Sequence, residues 1–249
     1  MSQSAADPVR TAAPLPRRRY ALVGTAVVVM ALALLNVADH LIPHGSLWLG
    51  PVGAVALLSF ARASGLSWAQ LGLARDRARS GLLWAAGAIL TVGLIYLAGV
   101  LLPMTRTAFL DVRYHLPVPG ALLTAFVIIP VGTIVLEEVA FRSVLWGMLA
   151  RHARMWVVVL VSSLLFGLWH VLPSLHLAAS NSGVGDAARG LGAAAGVAVI
   201  VGTVLFTAAG GAVAGELRRR SGSVLASVGM HWATNALGVL FGLLAWQLA

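Results

Sequence analysis

The chain of 249 residues contains only three glutamates, and two of them, Glu137 and Glu138, are adjacent inside a long apolar stretch. An ionisable side chain at the centre of a membrane helix costs about 2.5–3.5 kcal/mol on insertion scales, so such residues are where function is sought. The segment reads Glu137-Glu138-Val139-Ala140-Phe141-Arg142. On a helix Glu138 and Arg142 share a face and can pair, while Glu137 points about 100° away and is free to face another partner. A later apolar stretch holds Phe166 and His170, also four apart, and the last holds His231 and Asn235 with the same spacing. His40, His44, His115, His152 and His176 fall at stretch ends or in loops and have weaker claims.

A carboxylate beside an imidazole can activate water by general-base catalysis, and a second imidazole with a carboxamide can donate to an oxyanion. Together they suit amide hydrolysis without a covalent intermediate. Other chemistries lack their parts. There is no cysteine for a thiolate nucleophile or a disulfide, no HExxH helix for zinc and no GxSxG elbow. Gly183-Val184-Gly185-Asp186 spells GxGD, but no second mid-membrane aspartate completes a dyad, and the Ser/Asn/Gly-rich surroundings read as a turn. Polar residues in membranes also serve as interhelical glue worth about 0.6 kcal/mol per bond. Two carboxylates, an arginine, two histidines and an asparagine exceed what glue requires.

The elements that position these groups follow from composition. Hydrophobic residues make up 59% of the chain and charged residues 10%, with mean hydropathy +0.92; soluble domains carry about 25% charged residues. Apolar stretches at about 20–42, 46–62, 81–103, 120–150, 155–178, 190–215 and 222–248 approach or exceed the roughly 20 residues that cross a bilayer. The expected fold is all-α, a polytopic transmembrane bundle of about seven spanning helices, with a polar site at mid-membrane. Residues 1–19 read as a disordered cytoplasmic tail and 20–249 as a single domain, with the chemistry concentrated in 120–245. Gly192/Gly196 and Gly211/Gly215 both read as close-packing steps.

The net charge of +9 is carried entirely by arginine on the basic side. These arginines lie between apolar stretches, which is how membrane topology is encoded rather than how nucleic acid is bound. Thirteen fall in one set of alternate connections, whereas the opposite set holds only Arg106, Arg113 and Arg189. The rule places the N-terminus in the cytoplasm and the C-terminus outside. Counted from the arginine-rich ends of upright helices, Glu137, His170 and His231 lie at depths of about 20, 22 and 15 Å. Three helices therefore deliver their costly polar groups to one level, and access is expected from the cytoplasmic side.

EExxxR, FxxxH and HxxxN, in that order on successive late helices, resemble the CPBP family of intramembrane glutamic endopeptidases, which includes Rce1-type CAAX prenyl proteases and the Abi bacteriocin-processing group. The segment Gly215-Glu216-Leu217-Arg218-Arg219-Arg220-Ser221-Gly222-Ser223 and the element Leu71-Gly72-Leu73-Ala74-Arg75 are similar too, so the resemblance spans about residues 70–240. It implies that Glu137 and His170 activate water, that His231 and Asn235 stabilise the oxyanion, and that Glu138, Arg142 and Phe166 support them. It also implies no metal cofactor and a membrane-associated peptide or protein substrate. Alternatives remain at this stage. Glu137, Glu138, His170 and His231 could ligate zinc. The chain could be a non-catalytic immunity or scaffold protein, or a transporter using the carboxylates as a proton relay. All-arginine basic usage and short loops suggest a bacterial plasma membrane.

Overall fold

The computed structural model describes residues 15–43 and 45–249. Eight principal helices follow in order: α1 (Leu15–Leu41), α2 (Ser46–Ala63), α3 (Ala78–Leu101), α4 (Val118–Ala150), α5 (Met155–Trp169), α6 (Ser182–Arg189), α7 (Ala195–Ser221) and α8 (Val224–Leu248). Short helical turns link them, and no strand occurs among the described residues. α1, α2, α3, α4, α7 and α8 are long and apolar enough to cross a membrane, and α5 is a shorter apolar helix. The protein is a polytopic helical membrane protein, six long helices plus one short standing where about seven spans are expected.

The tail and helix boundaries need adjustment. α1 begins at Leu15, so the helix already includes the end of the segment read as a disordered tail; residues 1–14 and His44 lie outside the described residues. The stretch at 155–178 is not one helix. It ends at Trp169 because Pro173 has no N–H to offer the Trp169 carbonyl and its ring would clash with it. That carbonyl instead accepts from Asn36 Nδ2 of α1 at 2.8 Å. Residues 183–186 are not a turn either. They belong to α6, whose Asn181 N-cap accepts from the Val184 N–H, and Asp186 pairs with Arg189 one turn on.

α4 is the axis of the bundle. Wide π-type turns flank Pro130, at Thr124–Ile128 and Pro130–Ile134, the expected response to a proline that cannot continue the ladder. Trp232 of α8 donates its indole N–H to the Ala125 carbonyl in this turn, at 3.0 Å. A third π-type stretch, Glu138–Leu145, carries the charged motif. Residues 141–149 are buried on every side, enclosed by Val28 and Leu32 of α1, Leu57 and Ala61 of α2, Leu66 and Leu71 of the following loop, and Val158 and Phe166 of α5. A helix apolar all round needs such enclosure. The arginine-bearing connections meet at this end: Ser143 Oγ donates to the Leu71 carbonyl at 2.7 Å and the Val224 N–H to the Gly72 carbonyl at 3.0 Å. Gly222, at φ +71°, supplies the left-handed residue that turns α7 into α8.

α5 and α7 cross at van der Waals distance because small residues meet there. A Cβ on Gly167 would lie 2.6 Å from the Val204 carbonyl oxygen, and one on Gly211 would meet Phe166 at 3.2 Å. Gly211/Gly215 is thus a packing step as expected. Gly192/Gly196 is not, because added Cβ atoms there meet nothing within 4 Å. Gly167→Ala is expected to destabilise the protein by about 1–3 kcal/mol, the usual cost of overpacking, whereas Gly196→Ala leaves stability unchanged or slightly raised. Thermal unfolding of the two variants in detergent checks the contrast.

Candidate active site

The charged motif of α4 faces two ways, as adjacent helical residues must. Glu138, 1% exposed, turns toward α8. Its Oε1 accepts from His231 Nδ1 at 2.9 Å and stands 3.3 Å from Arg142 Nη1 of its own helix. A carboxylate only accepts, so the proton on this bond belongs to Nδ1 and the other ring nitrogen, Nε2, points onward. Nε2 lies 3.6 Å from Glu137 Oε2, an electrostatic contact beyond hydrogen-bond length. Glu137 Oε1 accepts from the Trp169 indole at 3.0 Å, while Oε2 is buried with no hydrogen-bond partner among the described residues. Glu137 is thereby fixed by one oxygen, and the other makes no hydrogen bond among the described residues.

Phe166 ties the remaining groups together. The Arg142 guanidinium carbon lies 3.9 Å from its ring centroid, a cation–π contact in a dry setting. Its edge-type contacts reach His170 at 4.7 Å and His231 at 5.9 Å between centroids. His170 caps α5 at the break made by Pro173, and its Nδ1–H donates to the Phe166 carbonyl at 2.8 Å. Since a carbonyl can only accept, Nε2 of His170 carries the lone pair and is available as a base. His170 is half-buried, whereas His231 is buried.

The structure therefore gathers Glu137, Glu138, Arg142, Phe166, His170 and His231 into one cluster. Asn235 makes no hydrogen bond to it among the described residues. It lies on a π-type turn, Ala233–Leu237, and is exposed. It lines a cavity of about 930 Å³ together with Tyr96, Phe109, Tyr114, Asn181 and Phe206. This cavity lies among the ends of α3, α6 and α7 remote from the arginine-bearing loops. Access from the arginine-rich end is the expectation from sequence; at that end residues 141–149 of α4 are buried throughout. Arg113 at the cavity wall is held by Asp111 at 2.9 and 2.6 Å, and this carboxylate raises its already high pKa further.

Three residues beside the site carry no motif in the sequence: Trp169, Asn36 and Asp39. Trp169 adjoins His170 but reads as one more apolar residue, although a buried indole N–H needs an acceptor. Asn36 and Asp39 near the end of the first apolar stretch are its only internal polar pair of this kind, and that was the available signal. No group of three or more His, Asp or Glu side chains among the described residues is placed to hold a metal ion; His231 Nδ1 is bonded to Glu138, which also pairs with Arg142.

A polytopic helical membrane protein with a buried carboxylate–imidazole cluster is the class that fold and site define. Residues 119–237 match the family described as type II CAAX prenyl endopeptidase, Rce1-like. This segment carries all seven of the residues singled out above, and over it the chain is similar to that family, in agreement with the resemblance to the CPBP/CAAX proteases that the motifs carry. The family points to a peptidase. No curated protein and no solved structure matches the chain.

Proposed function

We infer that the protein is an intramembrane endopeptidase that hydrolyses a peptide bond of a membrane-associated substrate by metal-independent activation of water. The observation that carries this reading is Glu137, whose Oε1 is fixed by Trp169 while its buried Oε2 is unpaired and faces the His231 imidazole. In the step that follows, Glu137 and His170 take a proton from water as its oxygen bonds the scissile carbonyl carbon. The carbonyl oxygen becomes an oxyanion, to which protonated His231 Nε2 and the Asn235 amide donate. The abstracted proton then passes to the leaving nitrogen, the C–N bond breaks, and a carboxylic acid and an amine result, the acid's proton passing on to the amine as the products separate. Glu138 orients His231 and stabilises its protonated form, while Arg142 and Phe166 hold Glu138 and the two imidazoles in place.

The substrate class is a peptide or protein segment held at the bilayer, reaching the site through the cavity at Asn235. The arginine distribution supports a cytoplasmic N-terminus and an external C-terminus, and all-arginine basic usage supports a bacterial plasma membrane. Cleavage of a panel of prenylated and unprenylated peptides in detergent, with and without a strong chelator, tests the reading. The expected rate is the same in both conditions. Loss on chelation restored by Zn²⁺ would replace this mechanism with a metalloprotease one.

A further inference from the structure

α1 lies outside the segment matched by the family, yet its last turns reach the site. Asn36 donates to the Trp169 carbonyl at 2.8 Å, and the Trp169 indole donates to Glu137 Oε1 at 3.0 Å. Asp39 follows Asn36 by three residues and so shares its helix face. It lies within electrostatic range of Glu137, and its Oδ1 is buried with no hydrogen-bond partner among the described residues. Glu137 Oε2 is unpaired in the same way, on a side chain only 8% exposed. Two enclosed carboxylate oxygens from different helices thus lack hydrogen-bond partners, and the helices that carry them are linked through Trp169, which bonds Asn36 with its carbonyl and Glu137 with its indole.

The charges there do not balance. Asp39, Glu137 and Glu138 are carboxylates, and Arg142 is the one guanidinium ion-paired with any of them among the described residues. His231 touches both glutamates, and the exposed His40 adjoins Asp39 on the outer side. With His231 protonated, the buried Glu137 and Glu138 are matched by Arg142 and His231, and the half-buried Asp39, whose Oδ1 is enclosed and unpaired, is the carboxylate left without a buried cation. An uncompensated charge inside a membrane is costly and is usually completed by a counter-charge.

We propose that Asp39 is a specificity-determining residue that receives a cationic group of the substrate, a Lys or Arg side chain or a free amino terminus, flanking the scissile bond. The inference rests on the reading of Glu137 as the base, since that places the scissile bond beside Asp39. A proton shared between Asp39 and Glu137 would relieve the same imbalance, and it gives a different result.

The test uses the purified full chain in detergent and a set of membrane-anchored peptides carrying Lys, Gln or norleucine at each position around the cleaved bond. For wild type, kcat/KM is expected to favour Lys over norleucine by about tenfold or more at one position, the range of a hydrogen bond to a charged group. In Asp39→Asn the ratio falls to about one, and in Asp39→Glu it is largely restored. A ratio is not moved by loss of folded protein. No preference in wild type, or the same preference in Asp39→Asn, overturns the proposal; a uniform loss on all peptides assigns Asp39 to the shared proton instead. If no peptide is cleaved in a Glu137-dependent manner, the hydrolase reading fails, and a second measurement still decides the cation site. Octylammonium, compared with octanol, is expected to raise the unfolding temperature of wild type but not of Asp39→Asn, and equal shifts in the two proteins overturn it.

Discussion

Glu137→Gln is expected to lower kcat/KM for peptide hydrolysis by about 10²–10⁴-fold, the span that a positioned general base contributes, without loss of folded protein. The substitution is nearly isosteric, and the glutamine carbonyl still accepts from the Trp169 indole that now holds Oε1 at 3.0 Å. What disappears is the basicity of Oε2, the oxygen that makes no hydrogen bond among the described residues and faces His231. Steady-state cleavage together with an unfolding curve in detergent separates the two effects. A variant within tenfold of wild type would remove Glu137 from the chemistry, and a variant that fails to fold would assign it to structure.

The second large effect is on stability. Glu138 and Arg142 are 1% and 2% exposed and face each other at 3.3 Å, with His231 completing the set at 2.9 Å. Arg142→Met leaves the buried Glu138 without its guanidinium and strips the cation from the Phe166 ring. The expected cost is about 3–5 kcal/mol, the usual penalty for breaking a buried pair from one side. Adding Glu138→Gln removes the orphaned charge and is expected to recover a substantial part of that loss, although activity stays low because His231 loses its orienting carboxylate. Denaturant titration of both single variants and the double variant measures the coupling. Additive losses would show that the two side chains act independently.

The cluster was legible in sequence because the membrane makes charge expensive: Glu137, Glu138 and Arg142 stand out in an apolar run, and i, i+4 spacing brings Glu138 to Arg142 on any regular helix. The seven apolar stretches likewise gave the bundle. Other features were legible only in part. Upright, unbroken helices were assumed in the depth estimate, yet Pro173 ends α5 beside His170 and so sets where that imidazole stands. Asn235 repeats the four-residue spacing of the other pairs but lies on a π-type turn and lines the cavity, with no hydrogen bond to His231 among the described residues. Gly192/Gly196 and Gly211/Gly215 are identical as patterns, and only the presence of a neighbouring helix distinguishes them. Asp39 was passed over because it lies far from the motifs along the chain, and nothing in its local pattern places it near Glu137.

The central claim is that Glu137 and His170 act on the same water molecule. Residues that work as one unit are strongly non-additive, so removing the second costs little once the first is gone. The decisive measurement is cleavage of one membrane-anchored peptide, with chelator present, by wild type, Glu137→Gln, His170→Ala and the double variant. The account predicts that each single variant loses most of the activity and that the double variant is no slower than the slower single. Full activity in His170→Ala, or losses that multiply in the double variant, would contradict it.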